Sequence, residues 1–483
     1  MRRIIPLAAL ALTACTVGPN YVRPDVPVPP RFAEAPATAP PAAPDDEPGR
    51  WWTRFNDTVL TSLIERAIAG NLDLATARSR IEGARAQERE ARAARLPTLG
   101  GRAGANRIDF SKNAGINSIA SAFGGGGNTP PGQGIAGPGK GITTWSIGVD
   151  ASWEVDLFGG VRRGVEGARA RTAAAEWSVR DVQVSVAAEV AADYLMLRSL
   201  QSQIAIAQAE VVRQKATLRL VDARRKAGLI TELPQRQQAL QLSNVAASLP
   251  QLMARARDEI HALGVLTGVG ADGLDATLTT PAALPTVPLA VPAGLPSDLL
   301  RRRPDIRAAE RQLAAATADI GVAQADLYPK FNLMGMAELI STNLATLVAR
   351  ASIQTNANAA VKLPIFDGGR RKGVVAERRA AADEARIAYT KAVVVAVQDV
   401  EDALADYTAE GARNAELRRG VADAERAAHL ARATFNAGLS DFQPVLDAEG
   451  TWLNSRNVLA QSDALLLTDL SRLYRALGGG WTA

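Results

Sequence analysis

The stretch "TWSIGVDASWEVDLFGG", residues 144–160, alternates in character from one residue to the next. Trp145, Ile147, Val149, Ala151, Trp153, Val155 and Leu157 are apolar, while Thr144, Ser146, Asp150, Ser152, Glu154 and Asp156 between them are polar or charged. Successive side chains of a strand point to opposite sides, so this pattern predicts a strand with one apolar and one polar face. The fold turns on whether the apolar face meets protein or lipid.

Three more alternating stretches accompany it. Residues 97–106 ("PTLGGRAGAN") place Leu99, Gly101, Ala103 and Ala105 on one face. In residues 329–339 ("PKFNLMGMAEL") Phe331, Leu333, Ala337 and Leu339 share a parity, as do Ile353, Ala357, Val361 and Leu363 in residues 353–366 ("IQTNANAAVKLPIF"). Each is about the length of a tilted transmembrane strand. No apolar run after residue 15 is long enough for a spanning helix, so if the chain crosses a membrane the strands do it.

The strands come in two pairs, and the segments after the two pairs are alike. "DLFGGVRRG" at 156 is echoed by "IFDGGRRKG" at 365, and "KAGLITEL" at 226 by "NAGLSDF" at 436. Gly159 and Gly368 are 209 residues apart, Gly228 and Gly438 210, so the chain is an internal duplication. Between these landmarks proline is absent from 139 to 233 and from 365 to 443, and Ala, Arg, Glu and Gln abound. Each interval predicts one long helix, Gly164 to Lys226 and Arg371 to Ala437, roughly 95 Å at 1.5 Å per residue. In the first, Val182, Val186, Val190 and Tyr194 recur at helical spacing. Shorter helices over 232–266, 298–327, 441–477 and 57–95 complete the count, two stacked beside each long one. The Pro-rich connector 270–297 reads as a non-helical belt where the short ones meet.

A four-stranded sheet in hydrocarbon has two edges of unpaired backbone groups, each costing several kcal/mol. Single-chain barrels begin at eight strands, so identical protomers must pool theirs: two give eight, three give twelve. Strand counting leaves both open.

The start of the chain is a basic "MRR", an apolar "IIPLAALAL" and "LTAC", ending at Cys15, the only cysteine. This reads as a secretory signal, and no disulfide can form within one protomer. "LTAC" resembles a bacterial lipobox, which implies cleavage before Cys15 and attachment of a diacylglycerol and an N-acyl chain there; no other cofactor is expected. Thr16, a non-aspartate, goes with outer-membrane sorting in such lipoproteins. Residues 1–14 are thus a lipoprotein signal peptide, 15–56 a lipid-anchored extended tether and equatorial segment, 57–266 the first repeat, 267–297 the connector, 298–477 the second repeat and 478–483 a tail.

Three stretches carry a family resemblance: "LLRRRPDIRAAERQLAAATADIGVAQADLYPKFNL" (299–333), "WWTRFNDTVLTSLIERAIAGNLDL" (51–74) and "AGLSDFQPVLDAE" (437–449). The chain resembles the outer-membrane factors of tripartite efflux pumps, the TolC-like channels of the NodT/OprM branch. The resemblance implies an α+β membrane protein: a homotrimer whose twelve-stranded transmembrane β-barrel, four strands per protomer, continues into a long periplasmic α-helical barrel. It implies a passive exit duct for drugs and toxic compounds, with a periplasmic adaptor and an inner-membrane pump, expected to be of RND type, as partners and outer-membrane lipid around the barrel. The rivals are a periplasmic adaptor lipoprotein, with one helical hairpin and a lipoyl-like domain, and a general porin, with many strands and few helices. Two hairpins and four strands argue against both.

The helix-to-helix turns at Gly228–Leu229 and at Gly438, Leu439 and Ser440 are expected to lie farthest from the strands. Glycine at a helix end is a C-cap; in similar channels these turns also receive the adaptor. Asp447 matches an aspartate that lines the closed periplasmic end of TolC-like pores, where a ring of carboxylates attracts cations. A second acidic residue common one turn earlier is replaced by Pro444, with Pro234 at the matching place in the first repeat, so Glu232 and Asp441 are the nearby substitutes. "GIAGPGKG" (134–141) lacks the Ser or Thr and the helix of a phosphate loop. His261 and His429 have no Cys or second His near them, the net charge of +5 is no nucleic-acid footprint in 483 residues, and no nucleophile–base pair marks an enzyme.

Overall fold

A computed structural model describes residues 16–35, 48–109, 141–285 and 296–481. Cys15, the glycine-rich connection 124–140 with most of the phosphate-loop-like segment, and residues 286–295 of the connector lie outside them. The order is a 3₁₀ turn Pro48–Phe55, α1 Thr58–Gly70, α2 Leu72–Ala93, β1 Thr98–Asp109, β2 Gly141–Val155, α3 Gly160–Lys226 and α4 Glu232–Thr267. After the connector come α5 Pro296–Arg302, α6 Pro304–Ala325, β3 Lys330–Ser341, β4 Ile353–Lys362, α7 Arg370–Asn436 and α8 Gln443–Ala476. The duplication is visible in the elements themselves: α3 and α7 each have 67 residues.

The chain divides into two compact units, and each repeat contributes to both. One comprises Met1–Val22, Arg85–Arg169 and Ala314–Asp383; the other comprises Arg23–Ala84, Ala170–Leu313 and Glu384–Ala483.

The first unit holds an antiparallel sheet in the order β1-β2-β3-β4. Its register aligns the parities read from the sequence. Across the four strands run Leu99, Ala151, Gly335 and Ala357, and beside them Ala103, Ile147, Leu339 and Ile353. On the other face Asn106 pairs with Thr144, Glu154 with Asn332 and Glu338 with Gln354, and Arg102 reaches Glu338 at 3.6 Å. The apolar face is bare: Leu99, Ile147, Val149, Trp153, Leu333, Ile353 and Val361 are all exposed.

The second unit is helical, and its core gathers Trp51, Trp52, Phe55, Leu60, Ile64, Val186, Val190, Tyr194, Leu470 and Tyr474. Trp51 stacks on Tyr474 at 5.5 Å. Asp57 caps α1 by accepting from the Val59 and Leu60 amides and also takes the Tyr194 hydroxyl at 2.6 Å. Burial, with Asp57 adding to it, pushes that hydroxyl up to about 12. The motif "RRRPDIRAAE" is structural: Arg303 joins Asp305 at 2.7 Å, Asp399 on α7 at 2.8 Å and the Ala476 carbonyl ending α8.

Several boundaries differ from the sequence reading for local reasons. The expected helix over 57–95 breaks at buried Asn71, whose Oδ1 accepts from the Asp73 and Leu74 amides and whose Nδ2 donates to the Leu266 carbonyl. The one over 298–327 breaks before Pro304, since a proline disfavours helix in the residue ahead of it. The first long helix begins at Gly160 rather than Gly164, because Gly159 turns the chain at φ +79° and Asp156 accepts from the Arg162 amide. The alternation over 144–158 and 353–366 predicts longer strands than are found: β2 and β4 stop at Val155 and Lys362, the latter just ahead of Pro364. The connector is not wholly non-helical: a 3₁₀ turn Ala271–Leu274 and a one-turn helix Asp275–Leu278 bury Leu274 and Leu278, held by Gln201 on the Leu278 carbonyl.

Candidate functional site

The two-faced sheet is the first functional element. Among the described residues β1 and β4 each have a ladder partner on one side only. With 10 to 15 residues per strand they are long enough to span a hydrocarbon layer, where a free edge is not tolerated. Closure by the β1 and β4 edges of neighbouring copies satisfies those groups, with the apolar parity outward and the polar parity, including Arg102 and Glu338, toward the lumen.

The foot of this sheet grips the chain just after Cys15. The Val17 amide donates to the Phe158 carbonyl at 3.1 Å. The Arg163 guanidinium, buried in the first turn of α3, donates to the carbonyls of Val17 and Gly18 and to Asn20 Oδ1 at 2.7 Å. Gly18, at φ +95°, lies so close to Gly321 that an added Cβ would come within 2.5 Å of its Cα. The composition of residues 16–50 predicts a plain extended tether; nothing in it signals that Arg163, 143 residues beyond Asn20, holds the beginning of this segment.

The two helix-to-helix turns are alike in backbone. The Gly228 amide donates to the Arg225 carbonyl and the Leu229 amide to the Arg224 carbonyl, with Gly228 at φ +76°. Gly438 and Leu439 repeat this with the Phe435 and Thr434 carbonyls, with Gly438 at φ +74°. Both are glycine C-caps of the Schellman type. Such caps usually bury the residue after the glycine, yet Leu229 and Leu439 are 72% and 80% exposed. Beneath them Val221, Phe435, Phe442 and Val445 form a small core joining the two hairpins. Arg224 closes the end of α7 by donating to the Phe435 and Asn436 carbonyls, and Ser440 Oγ donates to Thr434 Oγ1.

The acidic candidates separate. Glu232 opens α4 and is paired with Arg236 at 2.8 Å. Asp441 and Asp447 are exposed, Asp447 accepting from Gln443 Nε2 at 2.7 Å, and neither has a cationic partner among the described residues. His261 and His429 are exposed on their helices, and among the described residues no group of acidic, His or Cys side chains is arranged to hold a metal.

One constellation escaped the sequence reading. Glu449, wholly buried on α8, is ion-paired with Arg213 Nη1 at 2.7 Å and accepts from Gln214 Nε2 at 3.1 Å and from Arg432 Nε, linking α3 to α7 and α8. Glu210 holds Arg213 from the other side, and the Arg213 and Arg432 guanidiniums lie over the Trp452 ring. Burial opposes the Arg213 charge, but Glu210 and Glu449 outweigh it and hold its pKa above the usual value. The only hint in the sequence is the pairing of Arg213 with Glu210 at helical spacing.

A two-faced sheet whose outer strands lack a second partner among the described residues, in a chain with two 67-residue helices and paired helical hairpins, defines a membrane channel protein assembled from several copies. The chain belongs to the outer membrane efflux protein family, which it matches over residues 63–269 and 295–479. It is 30% identical over 492 residues to nodulation protein T of Rhizobium leguminosarum bv. trifolii, covering 99% of this chain and 97% of that protein. It is 32% identical to outer membrane protein OprJ of Pseudomonas aeruginosa, covering 98% and 95%. Among solved structures it is similar to the outer-membrane channel OprN (33% identity, TM-score 0.86, 97% of this chain and 100% of that one) and to CusC (25%, 0.80, 96% and 100%). It is an outer-membrane efflux channel, not an enzyme: a trimer with a twelve-stranded transmembrane barrel and a periplasmic helical tunnel, and neither an adaptor nor a general porin.

Proposed function

We propose that the channel is the exit duct of a tripartite assembly, receiving small toxic compounds from an inner-membrane pump of RND type through a periplasmic adaptor. The relatives named as solvent and toluene efflux pump outer membrane proteins, 28% identical over 489 residues, support such cargo. The observation that carries the reading is the pair of hairpin ends: each repeat sets an exposed leucine, Leu229 or Leu439, on a rigid glycine turn. In water that apolar surface is unfavourable, and a partner helix covering it regains about 25 cal/mol per Å² buried. Gly228, Leu229, Gly438, Leu439 and Ser440 are the adaptor contacts in this reading.

The gate rests on Asp447, with Asp441 beside it; Glu232, already neutralised by Arg236, contributes less charge. Three copies of an uncompensated carboxylate around a narrow axis attract cations. Cys15 in turn carries acyl chains, each buried methylene contributing about 0.8 kcal/mol, and the Arg163 clasp fixes the residues next to it. The test is conductance of the purified trimer in planar bilayers: Asp447→Ala weakens block by multivalent cations, and unchanged block removes Asp447 from the gate. Palmitate labelling lost in Cys15→Ser checks the anchor.

A further inference from the structure

The two hairpin ends share a backbone but not a charge. Residues 211–240, spanning the end of α3, its turn and the start of α4, contain seven Lys and Arg against two Asp and Glu. The equivalent residues 421–450 contain two against five. Basic residues at a helix C-terminus favour the helix dipole, which offers a local reason for Arg224, Arg225 and Lys226. Yet α7 ends with no basic residue in its last turn and makes the same capping hydrogen bonds. The turn does not require the charge.

Most of these cations are occupied. Arg213 belongs to the Glu449 network, Arg224 caps α7, Arg225 and Lys226 share Asp222, and Arg236 holds Glu232. Lys215 and Arg219 are different: both are exposed, one turn apart on α3, with no hydrogen-bond or ion-pair partner among the described residues. With Arg236 they line a groove of about 470 Å³ between α3 and α4, together with Leu218, Ala239, Gln235 and Asp222, whose carboxylate is already taken by Gln235, Arg225 and Lys226. In the second repeat the matching positions are Glu425 for Lys215, His429 for Arg219 and Leu446 for Arg236.

We propose that the α3–α4 groove is the docking site for an acidic helical segment of the periplasmic adaptor, and that the α7–α8 hairpin takes a different, non-acidic segment. This rests on the proposal that the hairpin ends receive an adaptor. An amphipathic helix laid in the groove sets its apolar seam on Leu218 and Ala239 and its carboxylates against Lys215 and Arg219. Around the trimer the six hairpins then alternate between two chemical classes, and the adaptor contacts cannot be six copies of one.

The test uses the full-length trimer in detergent, immobilised, and three synthetic helical-hairpin peptides with one apolar seam and an exposed face of Glu, Gln or Lys. Surface plasmon resonance is expected to rank the Glu-faced hairpin first, with an affinity that falls as salt rises. Lys215→Glu with Arg219→Glu weakens it about tenfold and improves the Lys-faced hairpin, while Glu425→Lys in the other repeat does not weaken it. Lys215→Gln with Arg219→Gln gives an intermediate loss, and the trimer band on semi-native gels verifies folding of each variant. Equal binding of all three hairpins overturns the charge assignment and leaves the docking reading standing; so does a Glu-faced affinity unmoved by the reversal. Binding by none of them overturns both.

Discussion

Removing the Glu449 carboxylate tests how the two repeats are held together. Glu449→Ala deletes the acceptor for Arg213, Gln214 and Arg432 at a wholly buried position. Arg213 keeps Glu210, but Arg432 has no other carboxylate among the described residues. Breaking one partner of a buried ionic cluster costs about 3–5 kcal/mol, because the remaining charge stays desolvated. Glu449→Gln, which keeps the shape and an acceptor oxygen, is expected to cost about half of that. The expectation sharpens in combination. If the cost comes from orphaned cations rather than lost packing, Glu449→Leu with Arg213→Met and Arg432→Leu recovers most of the stability, a strongly non-additive result. Urea unfolding of the purified trimer, followed by far-UV circular dichroism and tryptophan fluorescence, measures each variant. A Glu449→Ala midpoint within about 0.5 kcal/mol of the parent, or a triple variant as unstable as the sum of its parts, would refute the reasoning.

The faces of the sheet predict opposite tolerance of charge at nearby positions of β2: Val149→Lys is expected to cost about 2–4 kcal/mol per protomer and abolish the heat-stable trimer on gels, while Ser152→Lys keeps it. Gly18→Ala, at φ +95° against Gly321, should release the clasped segment by about 2 kcal/mol or more, read as new proteolytic cleavage near Val22; Gly101→Ala, with open space at its Cβ, should not. Burial, with Asp193 and Asp258 nearby, pushes the Glu259 carboxyl up to about 7, and burial beside Glu189 raises Asp193 to about 6. The folded chain therefore holds these protons more tightly than the unfolded chain, so stability gained through them is present at pH 5 and lost as pH rises through 6 to 7. Urea midpoints that fall from pH 8 to pH 5.5, or that keep their slope in Glu259→Gln with Asp193→Asn, would count against it.

What the sequence could disclose was whatever repeats at short range. Period-two alternation in four segments marked the lipid and lumen parities, because a strand's two faces are set by residue number alone. The glycines at 159, 228, 368 and 438 marked the turns because each needs a left-handed backbone, and all four have one. Breaks inside helices were harder: Asn71 looks like any polar residue until its amide is seen bridging α1, α2 and the end of α4, a choice settled by a carbonyl 195 residues away. The same distance hid Arg163 and Glu449, both ordinary charges in a charged helix until tertiary packing buries them.

The charge division between the hairpins shows why this limit matters for function. Duplication makes two ends that fold alike, so every residue the turn needs is present twice: the glycine, the leucine after it, and the proline in the first turn of the next helix. Residues that differ between the copies are free of that requirement and are available to answer to something outside the chain. Lys215 and Arg219 against Glu425 and His429 fall in this class, exposed and unneeded by the backbone, whereas Arg213 and Arg432 differ in position yet converge on one buried carboxylate and answer to the fold. Telling the two classes apart requires knowing which charges are already paired. That is a property of the folded chain, and it turns an otherwise ordinary basic stretch into a surface with a defined chemical complement.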